Sequence, residues 1–491
     1  MVLCAVIFAF SLLPGSSRAQ DDFDLFDELD SIEISTPGDS LSEGFGSQIV
    51  SNFSGKLSMR WQHFNKEPVV ILNREVYDNS DLFESRLNMS SWFGSKDWRL
   101  TASGWLEGGN EKNIWRSSTD VAGFFQNKDH YRPYIELNEL YFRSYHDRFD
   151  LTAGKIIFTN GICPLFSPAD RYGPSDFNDP IESRELGSWL GQADVYVGNT
   201  TVTGVIFPFY QSSRISSERS RWMSGVEYGS DPDQNRIPIM MRTGTPGESL
   251  PPITAENAGY LLRLKTTFRG WDMFASGYYG LNSQDVYRGD EITIKVPTPD
   301  VWAMGDAKTY DIEGDVVKVG NGAAGFSTTY KKMEFHGEGV YNYSVGSKDD
   351  NFISYLAGFS YNVGDFVRKL RLNSMTLYVD YAGEKVTKKQ SADGYIISSR
   401  NSRFGGKDFI IGENDIVTYL SVGVTADINV HVISLKQLSH DGMFNRIIGS
   451  YRINDSISCS LALDMFSGSM NNFIGRWDTN DRATILIDYH L

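Results

Sequence analysis

The sequence predicts an all-β protein: a single transmembrane up-and-down antiparallel β-barrel of about 18 strands, with short periplasmic turns and long extracellular loops. Three observations predict it. From residue 50 onward the dominant hydrophobic period is two, most plainly over Phe53 to His63, where Phe53, Gly55, Leu57, Met59 and Trp61 alternate with Ser54, Lys56, Ser58, Arg60 and Gln62. Connections between such segments alternate between short and long, apart from a short fifteenth-to-sixteenth and a longer twelfth-to-thirteenth connection, an asymmetry that soluble sandwiches and propellers do not require. The chain also ends in an alternating segment, Arg482 to Leu491, whose Ala483, Ile485, Ile487 and Tyr489 share one face, so a last strand is available to close the sheet on the first.

Taken in order, residues 1 to 19 read as a secretory signal: an apolar stretch through Leu13, then Pro14 and Gly15, then small residues to Ala19. Residues 20 to 47 are an acidic periplasmic segment and linker. Within it Phe23, Phe26, Leu29 and Ile32 recur at helical spacing among Asp21, Asp22, Asp24, Asp27, Glu28, Asp30 and Glu33, which allows a docking helix for a periplasmic partner, a lumen plug or a solvated tail. Residues 48 to 491 form the barrel. Its candidate strands run from 53 to 63, 81 to 94, 97 to 108, 133 to 146, 149 to 158, 188 to 197, 200 to 211, 256 to 268 and 271 to 282. They continue at 317 to 330, 332 to 344, 351 to 363, 373 to 384, 415 to 427, 430 to 440, 443 to 455, 457 to 468 and 481 to 491.

Composition narrows the function. The chain of 491 residues carries 46 Lys and Arg against 62 Asp and Glu, a net charge of −16, which excludes a nucleic-acid partner that needs a basic face. Aromatics make up 13% of the chain, so disorder is excluded for most of it. No run after residue 20 approaches the ~18 apolar residues of a spanning helix. Cys163 and Cys459 are too few for a disulfide framework in an exported chain and are placed toward opposite faces of the membrane, so no bridge is expected. Aromatics near strand ends, among them Trp61, Trp92, Phe93, Trp98, Tyr141, Phe142, Tyr278, Tyr279, Tyr341, Tyr343 and Tyr489, are expected to form girdles at headgroup level.

The stretch Leu137 to Arg214 contains LNELYF, DLTAGKIIFTNG, SPADRYGPSDFNDP and VYVGNTTVTGVIFPFYQSSR, and residues 323 to 343 read AAGFSTTYKKMEFHGEGVYNY. These passages resemble the large porin-like outer-membrane barrels related to the alginate-export group, in which a Gly-basic strand precedes a Pro- and Asp-rich loop. The resemblance covers about a fifth of the chain. It implies that the third long loop, Asn160 to Gly187, folds into the lumen and narrows it. Pro164, Pro168, Pro174 and Pro180 stiffen that loop, and its charged residues are Asp170, Arg171, Asp176, Asp179, Glu182, Arg184 and Glu185. With five acids and two bases, an inward loop is expected to favour cations or sugar hydroxyls, whereas a loop lying over the mouth carries these residues only as surface charge.

An aqueous lumen takes the wet strand faces, so Lys56, Arg60, Glu84, Arg86, Arg99, Glu107, Arg263, Lys265, Glu334, His336, Glu338 and Lys436, with Asp464 and Asp488, are expected to line it. Opposed charges there give a transverse field that orients polar solutes. Glu334, His336 and Glu338 share one strand face without a visible fourth ligand, so no metal is expected. The histidines fall in no metalloprotease pattern and no nucleophile elbow occurs, so no enzyme is expected. The expectation is a cofactor-free channel in the outer membrane of a Gram-negative bacterium, in contact with its lipid, passing small hydrophilic solutes or ions by diffusion. The alternative is a sheath or scaffold for a secreted polymer or a periplasmic partner complex bound at Asp21 to Glu33.

Overall fold

The computed structural model describes residues 52–66, 80–111, 114–116, 125–126, 131–170, 172–215, 220–222, 250–283, 286–297, 304–346, 349–388, 395–397, 414–469 and 474–491. The signal and acidic segments, residues 1 to 47, lie outside the described residues, as does Arg171. Eighteen strands form one sheet. They are β1 Ser54–Phe64, β2 Asp81–Ser95, β3 Trp98–Gly109, β4 Ile135–Tyr145, β5 Phe149–Ile156 and β6 Ser188–Val197. Next come β7 Thr200–Phe207, β8 Gly259–Phe268, β9 Trp271–Leu281, β10 Lys318–Tyr330, β11 Met333–Ser344 and β12 Asn351–Asn362. The last are β13 Ser374–Lys388, β14 Asn414–Gly423, β15 Ile428–Gln437, β16 Met443–Asn454, β17 Ile457–Ser467 and β18 Arg482–His490.

Each strand pairs antiparallel with its chain neighbours, and β18 pairs antiparallel with β1, from Lys56 opposite His490 to Phe64 opposite Arg482. The sheet is therefore a closed barrel, and its ladder has no edge. The tightest turns, of two to four residues, all fall at one end, and two connections at the other end are also short, 345–350 and 438–442. Arg269 and Gly270, with φ of 51° and 81°, make the tight left-handed turn whose twist suits a two-residue hairpin. The β12–β13 connection is the longest at this end and carries the short helix α1, Gly364–Leu370. The long connections fall at the other end, and the one after β9 holds its own hairpin, Val286–Pro297 paired with Met304–Asp315. That hairpin falls within the segment read from sequence as a plain loop.

Alternation along the strands puts one residue set outside and the other inside. The outer surface is an apolar belt: Leu262 is 57% exposed, Ile206 50%, and Met59, Leu151, Leu461 and Met465 are exposed with them. Rings cluster near its rims, where Trp98 packs on Phe93 and Phe142, and Trp271 on Phe326. Tyr141 and Tyr278 are buried on the inner side, and Trp92, in phase with Glu84, lies under the Arg99 guanidinium at 4.4 Å. These three rings are lumen residues and correct the expected girdle.

Lys436 is a second correction. It stands opposite Ile416 and Met443 on the outer face near the long-loop rim, where its Nζ donates to the Asp441 carbonyl at 3.1 Å. Inward on β15, beside His431 and Gln437, stand Ile433 and Leu435, each 1% exposed. In the middle of this sector the inner face also carries apolar side chains, which pack against loop residues Cys163, Leu165, Phe166, Ile181, Trp222 and Trp477. A rule that equates the wet face with the lumen fails where the lumen is filled by apolar loop.

Gly358 on β12 separates His336 on β11 from Asp380 on β13, and a Cβ there would sit 1.8 Å from Asp380 Oδ1. Its bareness lets His336 Nε2 and Asp380 Oδ1 meet at 2.9 Å across an intervening strand. Gly358→Ala is expected to break that contact and lower stability by about 1–3 kcal/mol, the usual penalty of overpacking, read from urea unfolding of the refolded barrel in micelles.

Candidate functional site: a loop tied across the lumen

The segment from Ile157 to Gly187 lies inside the barrel. Its first part leans on β8 to β11. Arg263 Nη1 donates to the Thr159 carbonyl at 2.8 Å, Asn160 Nδ2 to Ser276 Oγ at 2.9 Å, and the Tyr172 hydroxyl to Asn321 Oδ1 at 2.9 Å. Its end is fixed to β4, where Asn138 Oδ1 accepts from the Gly187 backbone N–H at 2.9 Å.

Glu338, buried on β11, is the anchor of this side. One carboxylate oxygen accepts from Ser167 Oγ at 2.5 Å and from the Ala169 N–H at 2.6 Å; the other accepts from the Ile162 N–H at 3.0 Å. Three loop donors converging on one carboxylate satisfy backbone groups that a buried loop otherwise leaves orphaned. Cys163 is buried beside them, and burial with the neighbouring Glu338 charge pushes its thiol pKa far up, which leaves it unreactive.

The second part of the loop is held electrostatically by the opposite sector, β16 to β18 and β1 to β3. Asp176 accepts from Arg132 Nε at 2.7 Å and Nη2 at 3.2 Å. Asp179 accepts from Arg482 Nη1 at 2.5 Å. Glu182 accepts from Arg60 Nη1 at 3.0 Å and from Arg446. The loop's Arg184 donates to Glu107 at 2.5 Å and to Glu84 at 2.8 Å. Wall partners link these pairs to one another: Arg60 to Glu84 at 2.7 Å, Arg132 to Glu84 at 3.3 Å, and Arg482 to Asp464 at 2.7 Å. Arg214, from the connection after β7, bonds Glu136 at 2.6 Å, and Lys155 meets Glu136 at 3.1 Å.

Burial alone raises a carboxyl pKa, yet the guanidinium ions win here. Arg132, Arg184 and Arg214 hold Asp176 far below its ordinary value; Arg482 and Arg60 depress Asp179; Arg446, Arg60 and Arg482 depress Glu182. The three loop acids are therefore ionised and already matched by arginines. Each of these three carboxylates is an anchor and adds no free negative charge to the loop.

Among the other sequence candidates, Lys56, Arg60, Glu84, Arg86, Arg99, Glu107, Arg263, Lys265, Glu334, His336 and Glu338 stand on inward positions of their strands, and Lys436 does not. The network gathers Arg60, Glu84 and Glu107, whereas Lys265 and Glu334 stand apart from it; Ser327 Oγ donates to Glu334 at 2.9 Å. Within the loop, Asp170 accepts from the Asn160 N–H at 3.0 Å, and Glu185 pairs with Ser175 in a small ladder. Sequence reading missed Arg132, Glu136, Lys155, Arg214, Arg446, Arg482 and Asp380 as partners. The phase of Arg446, Arg482 and Asp380 on their strands was available as a signal; Arg132 and Arg214 lie in loops with no periodicity.

No family model matches the chain and no curated protein is significantly similar. Among solved structures, the chain is similar to OccK3 (OpdO) of Pseudomonas aeruginosa at 11% identity, covering 91% of this chain and 99% of that one with a TM-score of 0.46. OccK8 (OprE) of the same organism matches at 10% identity, with 90% and 99% covered and a TM-score of 0.45. A mutant of the Rh. blastica porin matches at 10% identity, with 89% and 99% covered and a TM-score of 0.36. The resemblance to the alginate-export group rests on the sequence motifs alone.

Arg482→Ala removes the guanidinium that Asp179 and Asp464 share, and breaking a buried pair of this kind is expected to lower stability by about 3–5 kcal/mol, measured by urea unfolding. The depressed loop carboxylates also fix the sign of the acid response. Their stabilisation is present above the free-carboxylate range of about pH 4 and is lost as pH falls through the lower folded values. The loop is expected to resist pepsin at about pH 4 and to be cut progressively below about pH 3.

Proposed function

We propose that the chain is an outer-membrane diffusion channel of porin type, in which the segment 157–187 sets the aperture for small hydrophilic solutes. The observation that carries the reading is a closed barrel, apolar outside, whose lumen holds one loop tied to opposite walls by Glu338 on one side and by Arg60, Arg446 and Arg482 on the other. A spanning sheet must satisfy every backbone group internally, which closure does. With the short turns toward the periplasm and the long loops outside, the barrel fits the outer membrane of a Gram-negative bacterium, in contact with its lipid.

In this reading the ion pairs do not select charge directly. They hold the loop rigid, so the aperture is a fixed size instead of an average over a moving segment. Polar wall groups at Lys56, Arg86, Arg99, Lys265 and Glu334 then meet the solute as it passes. No step calls for a cofactor, and the family relation suggested by the motifs bears on architecture only.

The test is planar-bilayer conductance of the refolded full chain, under a salt gradient, for the parent and for Glu338→Ala combined with Asp179→Asn. The parent is expected to show small, steady steps. The double variant removes one anchor on each side and is expected to give larger, noisier steps, about two-fold or more, since loops that lose contacts sample open states more often. Folded parent barrels without any conductance would sink the channel reading and favour a sheath around a partner.

A further inference from the structure

At the long-loop end a cavity lies between the wall of β1 and β2, the connection after β3 and the segment 157–187; Arg60, Glu84, Glu111, Trp115, Arg132 and Asp179 are among its lining. Nearly all of its charge is committed. Glu84 is held by Arg60, Arg132 and Arg184, and Asp179 by Arg482; Arg132 forks onto Asp176, and Arg60 also holds Glu182. Glu111 is the exception: it is half-buried and makes no hydrogen bond or ion pair with any described residue. Beside it the Trp115 indole N–H is buried without a partner among the described residues. Among its described lining the cavity thus holds one carboxylate and one donor left over, next to the apolar side chains of Leu82 and Ile114.

We propose that this cavity is a binding subsite for a small organic ammonium solute that also carries an oxygen acceptor, with Glu111 holding the ammonium and the Trp115 indole N–H bonding the oxygen. The chemistry excludes the alternatives in turn. A divalent metal needs several hard oxygen ligands, and one free carboxylate does not supply them. An anion would have to take Arg60 or Arg132 from carboxylates they already hold. A neutral polyol leaves the Glu111 charge uncompensated in a partly dry site, whereas an ammonium completes it. Aromatic and apolar walls suit the solute's carbon frame.

The groups facing Glu111 also set a pH dependence. Burial pushes its pKa up to about 7, against the pull of Arg132 and Arg60 and with Asp179 and Glu84 adding to the rise. The carboxylate that receives the ammonium therefore forms as pH climbs through neutrality, and affinity rises with it. The proposal deepens the channel reading, since the subsite would be an early stop on the solute's path from the long-loop end. Binding in detergent does not depend on conduction, so the two readings fail separately.

The experiment is calorimetric titration of the folded full chain in detergent with 2-aminoethanol, and in parallel with ethylene glycol and with acetate. Saturable binding of 2-aminoethanol alone is expected, with affinity falling about tenfold or more in Glu111→Gln, as for loss of a charge-assisted hydrogen bond. The parent is expected to lose affinity similarly between about pH 8 and about pH 5.5, a dependence that Glu111→Gln removes. Trp115→Phe, which keeps the ring and deletes the donor, is expected to weaken binding about threefold. Undiminished binding by folded Glu111→Gln, equal binding of ethylene glycol, preferential binding of acetate, or no saturable heat from the parent each overturns the proposal.

Discussion

The structure depends on closure of one hydrogen-bonded sheet. In hydrocarbon an unpaired backbone N–H or C=O has no water to turn to, so a spanning sheet has to end where it began. Here the ladder between β18 and β1 does this over nine residue pairs, Lys56–His490 through Phe64–Arg482. Once closure is imposed, the alternation of the strands sorts side chains without further instruction. Leu151, Ile206, Leu262 and Leu461 go outward, and Arg60, Glu84, Glu107, Glu338, Arg446 and Arg482 go inward.

Closing eighteen strands creates a second problem, because side chains alone do not fill so wide an interior. The segment 157–187 answers it with two kinds of contact. Toward β12 to β17 it is greasy, with Leu165, Phe166 and Ile181 against Leu356, Val417, Ile433, Leu435 and Ile448. Toward β16 to β3 it is ionic. The apolar contacts give burial, while the forked arginine–carboxylate pairs fix direction and register. Four prolines lower the entropy lost when the segment is ordered.

The acids of this loop show why a count of charge is a poor guide to selectivity. Asp176, Asp179 and Glu182 read as a negative constriction when the loop is taken by itself. In place, each faces guanidinium groups from other elements, so the free charge is what remains after pairing. Glu111, outside the loop and absent from any motif, is such a remainder.

Much of the architecture was legible because the alternation of a barrel strand is a local code. All eighteen strands stand where period-two alternation placed them, with ends shifted by a few residues; the turn after β14, for example, falls at 424–427, where the Thr425 hydroxyl accepts from the Asp427 and Ile428 N–H groups. The alternation of loop lengths, the candidate closing strand and the inward phase of Arg60, Glu84 and Glu338 were equally readable. Tertiary structure decided the rest. Which arginine meets which carboxylate joins residues up to 303 apart, as Asp179 and Arg482 are, and no periodicity encodes that. Lys436 faces outward because a loop packs on the inner side of its strand, and Trp92, Tyr141 and Tyr278 face inward for want of any sequence sign that separates a girdle ring from a lumen ring. Sequence fixes the side of the wall on which a residue can stand wherever only one side is wet. What occupies the lumen, and so which charges stay free, is set by long-range packing of a loop that carries no period of its own.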